Sequence, residues 1–294
     1  MQRIDRLGWS DALVLDAFGV RVGLRSDSAA LLRRAAARWT AVGARVVTVE
    51  ATGASEVRVE GLMSLHSGAR DVTAAARPPL TLYDGASRIA RSADREHVLD
   101  LLDATLRVGV ADLSPSRLFI HAGVVAYEGE AILVAGGSLA GKTTLVQALL
   151  ARGATYYSDD AAVVDDEGRV HPFAKPLAVR ESVHAPQRPV APESLGAAVG
   201  REPLRAGVVA IARYRAGAVW RPGTLVGGAS TLAMLPHTGG VQSRPARALA
   251  MLGRLLDGAA VLRGIRGDAE ACAEQLMRAI ERRGRTSRPS ALSA

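Results

Sequence analysis

Apolar and polar positions alternate from Phe18 to Leu24, with Phe18, Val20, Val22 and Leu24 on one side, the period of a half-buried strand. Ser28 then caps an Ala, Leu and Arg-rich run to about Val42 whose spacing is helical. Short strand patterns follow at Arg45–Val49, Val57–Val59 and Leu80–Tyr83, parted by turns such as Arg77-Pro78-Pro79. A second helix begins near Ser92 or Asp94, places Val98, Leu101, Leu102 and Thr105 on one face, and ends near Gly109. These elements predict a small α+β accessory domain over residues 1–112 that carries no chemical motif.

The pattern then changes. Leu118–Ala126 reads as one apolar strand that turns through Tyr127-Glu128-Gly129-Glu130 into a second, Ala131–Ala135, making a hairpin. A glycine-rich loop follows, then a helix from Lys142 to about Arg152 closed by Gly153. Next come a strand at Thr155–Tyr157, the pair Asp159-Asp160, a strand at Ala161–Val164, and a solvated turn at Asp165-Asp166-Glu167-Gly168. Strands at Val208–Arg213 and Thr231–Leu235 and helices near Ala246–Leu256 and Asp268–Arg283 complete a second domain, residues 113–283. Gly284 to Ala294 reads as a disordered basic tail.

Composition narrows the function. At 48% apolar and 22% charged, 294 residues make an ordinary globular chain. No apolar run approaches the roughly 20 residues of a membrane span, so a soluble, cytoplasmic protein without a membrane partner is expected. The formal charge of +8 is spread along the chain and aromatics are only 4%, which argues against a nucleic-acid partner. The lone Cys272 has no second cysteine to pair with and reads as a small packed side chain. His66 and His97 are isolated, and His171, His184 and His237 share no metal-ligand spacing. Of 37 basic residues only Lys142 and Lys175 are lysine, which directs attention to sites that need a compact ammonium.

One of those lysines closes a motif. Gly136-Gly137-Ser138-Leu139-Ala140-Gly141-Lys142-Thr143 fits G-x-x-x-x-G-K-[ST] between a buried strand and a helix start. Its glycines let amide groups turn inward onto phosphate oxygens, and the helix dipole adds positive charge. Gly136, Gly137, Ser138, Leu139, Ala140, Gly141, Lys142, Thr143 and Thr144 are therefore the expected ATP-binding residues. Lys142 would meet the outer phosphates and Thr143 would hold Mg²⁺. Asp159-Asp160 comes only 17 residues after Lys142, so Thr155–Tyr157 is expected beside the loop strand, delivering two carboxylates to opposite sides of the chain.

The run from Leu118 to Arg180 resembles the C-terminal catalytic domain of HPr kinase/phosphorylase, a family of phosphoenolpyruvate-carboxykinase-like fold. The matching residues are His121-Ala122-Gly123-Val124-Val125, Gly141-Lys142-Thr143, Arg152-Gly153, Ser158-Asp159-Asp160 and the segment Lys175-Pro176-Leu177 with Arg180. The resemblance implies an α/β, mixed-sheet P-loop kinase domain in which Asp159 is the general base, Asp160 and Thr143 serve Mg²⁺, and His121 lies near the phosphates and acts on Asp159. Catalytic roles thus fall to Asp159, His121 and Lys142. Thr144 stands where bifunctional relatives carry a carboxylate, which speaks against the reverse phosphorylase reaction; Leu139 stands where they carry glycine, and neither departure removes the phosphate cradle.

The function expected is an ATP- and Mg²⁺-dependent kinase acting on a hydroxyl, foremost a serine of a protein or peptide, in a chain that could form a homo-oligomer. A small-molecule hydroxyl kinase and a non-catalytic ATP-binding partner protein are the alternatives. Asp159 separates the last from the others, because a pure binder has no need of a second carboxylate beside the metal ligand.

Overall fold

The structure, a computed structural model, describes residues 6–47, 59–68, 78–137, 140–180, 185 and 187–287. The expected strand at Val57–Val59, the end of that at Arg45–Val49, Arg77, the loop residues Ser138 and Leu139, His184 and residues 288–294 lie partly or wholly outside that description. The chain forms two compact units, Met1–Ser116 and Arg117–Ala294. Among the described residues no helix is long and apolar enough to cross a membrane.

Among its described residues the first unit is a six-stranded sheet with two helices. Its strands are β1 (Asp11–Ala17), β2 (Val20–Ser26), β3 (Arg45–Val47), β4 (Gly61–His66), β5 (Leu80–Asp84) and β6 (Ser87–Ser92), in the order β3-β1-β2-β4-β5-β6. The alternation read from Phe18 misses β1, because Phe18 and Gly19 are themselves the turn, at φ 55 and 82. Positive φ at both positions gives the twist that a two-residue hairpin needs, and Gly19 adopts it at little cost. Helices α1 (Ala29–Thr40) and α2 (Arg95–Leu113) pack on the sheet, each capped by the side chain before it, Ser28 and Asp94. Trp39 and Arg38 of α1 both reach Asp103 of α2, at 3.0 and 2.8 Å.

In the second unit β7 (Leu118–Ile120), β8 (Ala122–Tyr127) and β9 (Glu130–Ala135) lead into α3 (Lys142–Ala151). Then come β10 (Thr155–Ser158), β11 (Ala162–Val164), β12 (Val170–His171), β13 (Leu177–Val179), β14 (Arg188–Val190), β15 (Ala206–Tyr214) and β16 (Gly223–Leu225). The chain closes with α4 (Gly228–Met234), α5 (Pro245–Leu256), β17 (Ala260–Arg266) and α6 (Ala269–Ser287). The main sheet is mixed, in the order β10-β8-β9-β15-β17-β16, with β9, β15 and β17 parallel. Alternate residues of β9 and β15 face opposite layers. Ile132, Val134, Val208 and Ala210 pack with α3 and α6, while Leu133, Val209 and Ile211 pack with α5. This two-sided burial explains apolar runs without polar alternation. Cys272 is buried in the α6 layer.

Three expectations are corrected here. Thr155–Tyr157 does not lie beside the loop strand: β10 pairs with β8, since β8 and β15 occupy the two sides of β9. Thr231–Leu235 is not a strand but the end of α4 and the start of a 3₁₀ turn, Leu235–His237, with Met234 buried in the α5 layer. The segment read as a tail from Gly284 begins as helix, because α6 runs on to Ser287.

Candidate functional site

Two crossings between sheets build the site. The apolar run expected as one strand from Leu118 to Ala126 breaks at His121: β7 belongs to a three-stranded sheet, β12-β11-β7, and β8 to the main sheet. The chain makes the same passage between β10 and β11, through Asp159, Asp160 and Ala161. Because β10 pairs with β8 and β11 with β7, the two crossings lie side by side. The His121 amide donates to the His237 carbonyl at 2.6 Å, which anchors the first crossing. The Ser158 hydroxyl accepts from the amides of Asp160 and Ala161, at 3.3 and 3.1 Å, which shapes the second.

The glycine-rich loop follows β9 directly. Gly141 sits at φ 74 as the cap of α3, and a Cβ there would collide with the guanidinium of Arg266. A Cβ on Gly136 would lie 2.9 Å from Ala140 Cβ and 3.0 Å from the Ala212 carbonyl. Gly136 is thus favoured by close approach to the Ala212 backbone, and Gly141 by its positive φ. Gly137 is exposed, and Thr144 lies exposed in the first turn of α3.

Lys142 is buried beneath the loop, and its ammonium donates to the carbonyls of Gly136 and Gly137 at 2.9 and 3.0 Å and to His121 Nε2 at 3.0 Å. His121 Nδ1 lies 3.0 Å from the Asp160 carbonyl, which can only accept, so Nδ1 carries the proton and Nε2 accepts from Lys142. Burial lowers the Lys142 pKa from its ordinary value, against the pull of Asp160 and Asp159. His237 is likewise held low, by burial and then by His121 and Lys142.

Asp159 is only 6% exposed. Its Oδ2 accepts from Thr143 Oγ1 at 3.1 Å and from the Ala178 amide at 3.0 Å, while Oδ1 is buried and finds no partner among the described residues. Burial pushes its pKa up to about 6, although the Ala178 amide and the Thr143 hydroxyl pull the other way. Asp160 lies beside His121, 3.4 Å from Nδ1 to Oδ1. The direct bond of Thr143 is therefore with Asp159, where the family resemblance groups Thr143 with Asp160; and His121 touches Asp160 and Lys142, where the resemblance directs it to Asp159.

His121, Lys142, Thr143, Asp159 and Asp160 thus converge from the loop helix and the two crossings. Three participants escape the sequence. The Ala178 amide is brought in by the segment after Lys175, whose carbonyl accepts the Tyr156 hydroxyl at 2.5 Å. His237 arrives through its backbone. Arg266, 2% exposed on β17, donates to the Gly141 carbonyl at 2.6 Å and the Gly267 carbonyl at 3.0 Å and so braces the loop from behind. Burial lowers its pKa. No signal marks Arg266 among so many arginines.

Asp165 is 3% exposed and so is not part of a solvated turn as its sequence suggests; its Oδ2 takes Arg169 Nε at 3.0 Å and lies 2.8 Å from His171 Nε2. Among the described residues no group of three or more His, Cys, Asp or Glu side chains forms a metal-binding cluster. No family model and no curated protein matches the chain. Among solved structures, the Hpr(Ser) kinase/phosphatase from Coxiella burnetii aligns with a TM-score of 0.35 and 14% identity, over 58% of this chain and 99% of that one.

Proposed function

We propose that the second unit is an ATP-dependent kinase that passes the γ-phosphoryl group to a hydroxyl, foremost a serine of a protein or peptide. One observation carries this reading: a phosphate-type loop and a buried, half-satisfied carboxylate are tied together by the Thr143–Asp159 hydrogen bond. A loop that merely held a nucleotide would have no use for Asp159 Oδ1 left without a partner.

The donor set fits Mg²⁺. Thr143 and Asp160 offer hard oxygens, and a cation that keeps most of its shell for water and phosphate needs only one or two protein ligands. Mg²⁺, when bound, supplies neutralisation of charge on the β- and γ-phosphate oxygens. The loop amides and Lys142 seat the triphosphate, for which the ammonium leaves the carbonyls of Gly136 and Gly137. Asp159 accepts the hydroxyl proton of the acceptor as its oxygen bonds to phosphorus, and the bond to the leaving ADP breaks. His121, with Nδ1 committed to the Asp160 carbonyl, keeps Nε2 toward Lys142 and fixes where the ammonium rests.

The reading is tested by incubating the protein with γ-labelled ATP, Mg²⁺ and a panel of serine peptides and small hydroxyl compounds, beside Lys142→Ala. Label should enter an acceptor in the wild type alone, and calorimetry should show weakened ATP binding in the variant. Unchanged ATP affinity in Lys142→Ala would remove the loop as the phosphate site.

A further inference from the structure

The loop separates two unlike flanks of the main sheet. On one lie β8 and β10 with His121, Asp159 and Asp160. On the other, β15 and β17 run parallel to the loop strand, and a cleft of about 870 Å³ opens at their carboxyl ends. That end of parallel strands is where open α/β sheets take ligands, and the volume suits a small molecule. Gly136, Gly137 and Ala140 of the loop are one wall of this cleft, so whatever the loop holds continues into it.

Away from the loop the cleft is lined by Leu232 of α4, 66% exposed, and Ile265 of β17, together with Arg213 and Arg263. Tyr214, the last residue of β15, is 55% exposed and lines it too. The buried Arg266 guanidinium, 5.4 Å from the centroid of the Tyr214 ring, also bonds the Gly141 carbonyl, so ring and loop are braced by one side chain. An exposed aromatic ring fixed beside a phosphate loop, in an apolar cleft with cations, matches a flat heteroaromatic base joined to a phosphate chain. A donor whose last phosphate meets Asp159 must trail its nucleoside across the loop, away from β10 and toward β15 and β17.

We propose that the cleft is the nucleoside half of the donor site, taking the purine base of ATP against Tyr214 and Leu232, with Arg213 and Arg263 toward the ribose and first phosphate. The inference rests on the loop being the phosphate site. ATP and inorganic tripolyphosphate separate the two ideas, since only ATP has a base to place.

Calorimetry on the wild type should show ATP bound more tightly than tripolyphosphate. Tyr214→Ala should weaken ATP by about 10- to 100-fold, the usual worth of a stacked base, and leave tripolyphosphate unchanged. Tyr214→Phe should keep wild-type affinity. Leu232→Asp, at another exposed position lining the cleft, should reproduce the selective loss without disturbing Arg266. Equal affinity for the two ligands in the wild type would overturn the cleft assignment alone, as would an unchanged ATP affinity or an equal loss of both ligands in Tyr214→Ala and Leu232→Asp. A wild type that bound neither would overturn the phosphate-loop reading, and this one with it.

Discussion

Asp159 and Asp165 flank the same short strand, β11, and each has almost no solvent-exposed surface, at 6% and 3%, although Asp159 lies much deeper in the protein. Burial pushes both carboxyls toward the neutral form. At Asp165 that push is outweighed by His171 and by the backbone and guanidinium of Arg169, and its pKa falls below the ordinary value. Its Oδ1 also takes the amides of Glu167 and Arg169, at 3.0 and 2.8 Å. Among the described residues Asp159 has only a hydroxyl and one amide, both on Oδ2, and its pKa rises to about 6. What separates the two is how deep each lies and how many donors and cations the fold has supplied.

The largest expected effect is on turnover. Asp159→Asn keeps the shape of the side chain and should lower ADP formation from ATP by about 10² to 10⁴, the worth of a positioned base, while ATP affinity holds. Asp165→Asn, measured per folded molecule, should leave the rate within about threefold, as expected of a substitution that touches none of the reacting groups. Equal losses in the two variants would erase the distinction. In the wild type the rate should also climb as pH rises through about 6, because the base role proposed for Asp159 needs the ionised carboxylate.

Stability should move in opposite directions. A carboxyl whose folded pKa is raised favours the fold when protonated, and that contribution is lost as pH climbs from its ordinary 3.8 through about 6. Asp159→Asn should therefore gain on the wild type over that range, by up to about 3 kcal/mol at neutral pH in denaturant titrations. Asp165, with its lowered pKa, stabilises the fold above the ordinary carboxylate range and loses that contribution as pH falls. Asp165→Asn should cost about 2 to 3 kcal/mol at pH 7, the worth of hydrogen bonds to a charged group, with the gap closing in acid. The smallest effect belongs to the neighbouring Asp166, 54% exposed at the side chain and paired with Arg247 at 3.1 Å. Asp166→Asn should change stability by less than about 0.5 kcal/mol.

The sequence displays these features unevenly. The loop from Gly136 to Thr143 and the helix behind it are legible because their chemistry is local: glycines that permit close approach, then a lysine at a helix start. The capped helices α1 and α2 are legible for the same reason. What fails is decided by distant partners. The break at His121 depends on β10 and β11 passing between sheets beside it. The apolar run Thr231–Leu235 fits strand and helix alike until α5 packs on it. Arg266 and its strand β17 are invisible, since a buried arginine among 37 basic residues is set apart only by the loop carbonyl it meets. Asp165 reads as solvated because nothing local shows that His171 will fold back onto it.

Carboxyl ¹³C shifts of Asp159 and Asp165, followed by NMR from pH 3 to 8 in the same sample, test the contrast most directly. The contrast requires a midpoint near 6 for Asp159 and one below the ordinary carboxylate range for Asp165. Two ordinary midpoints, or the reverse order, would contradict it.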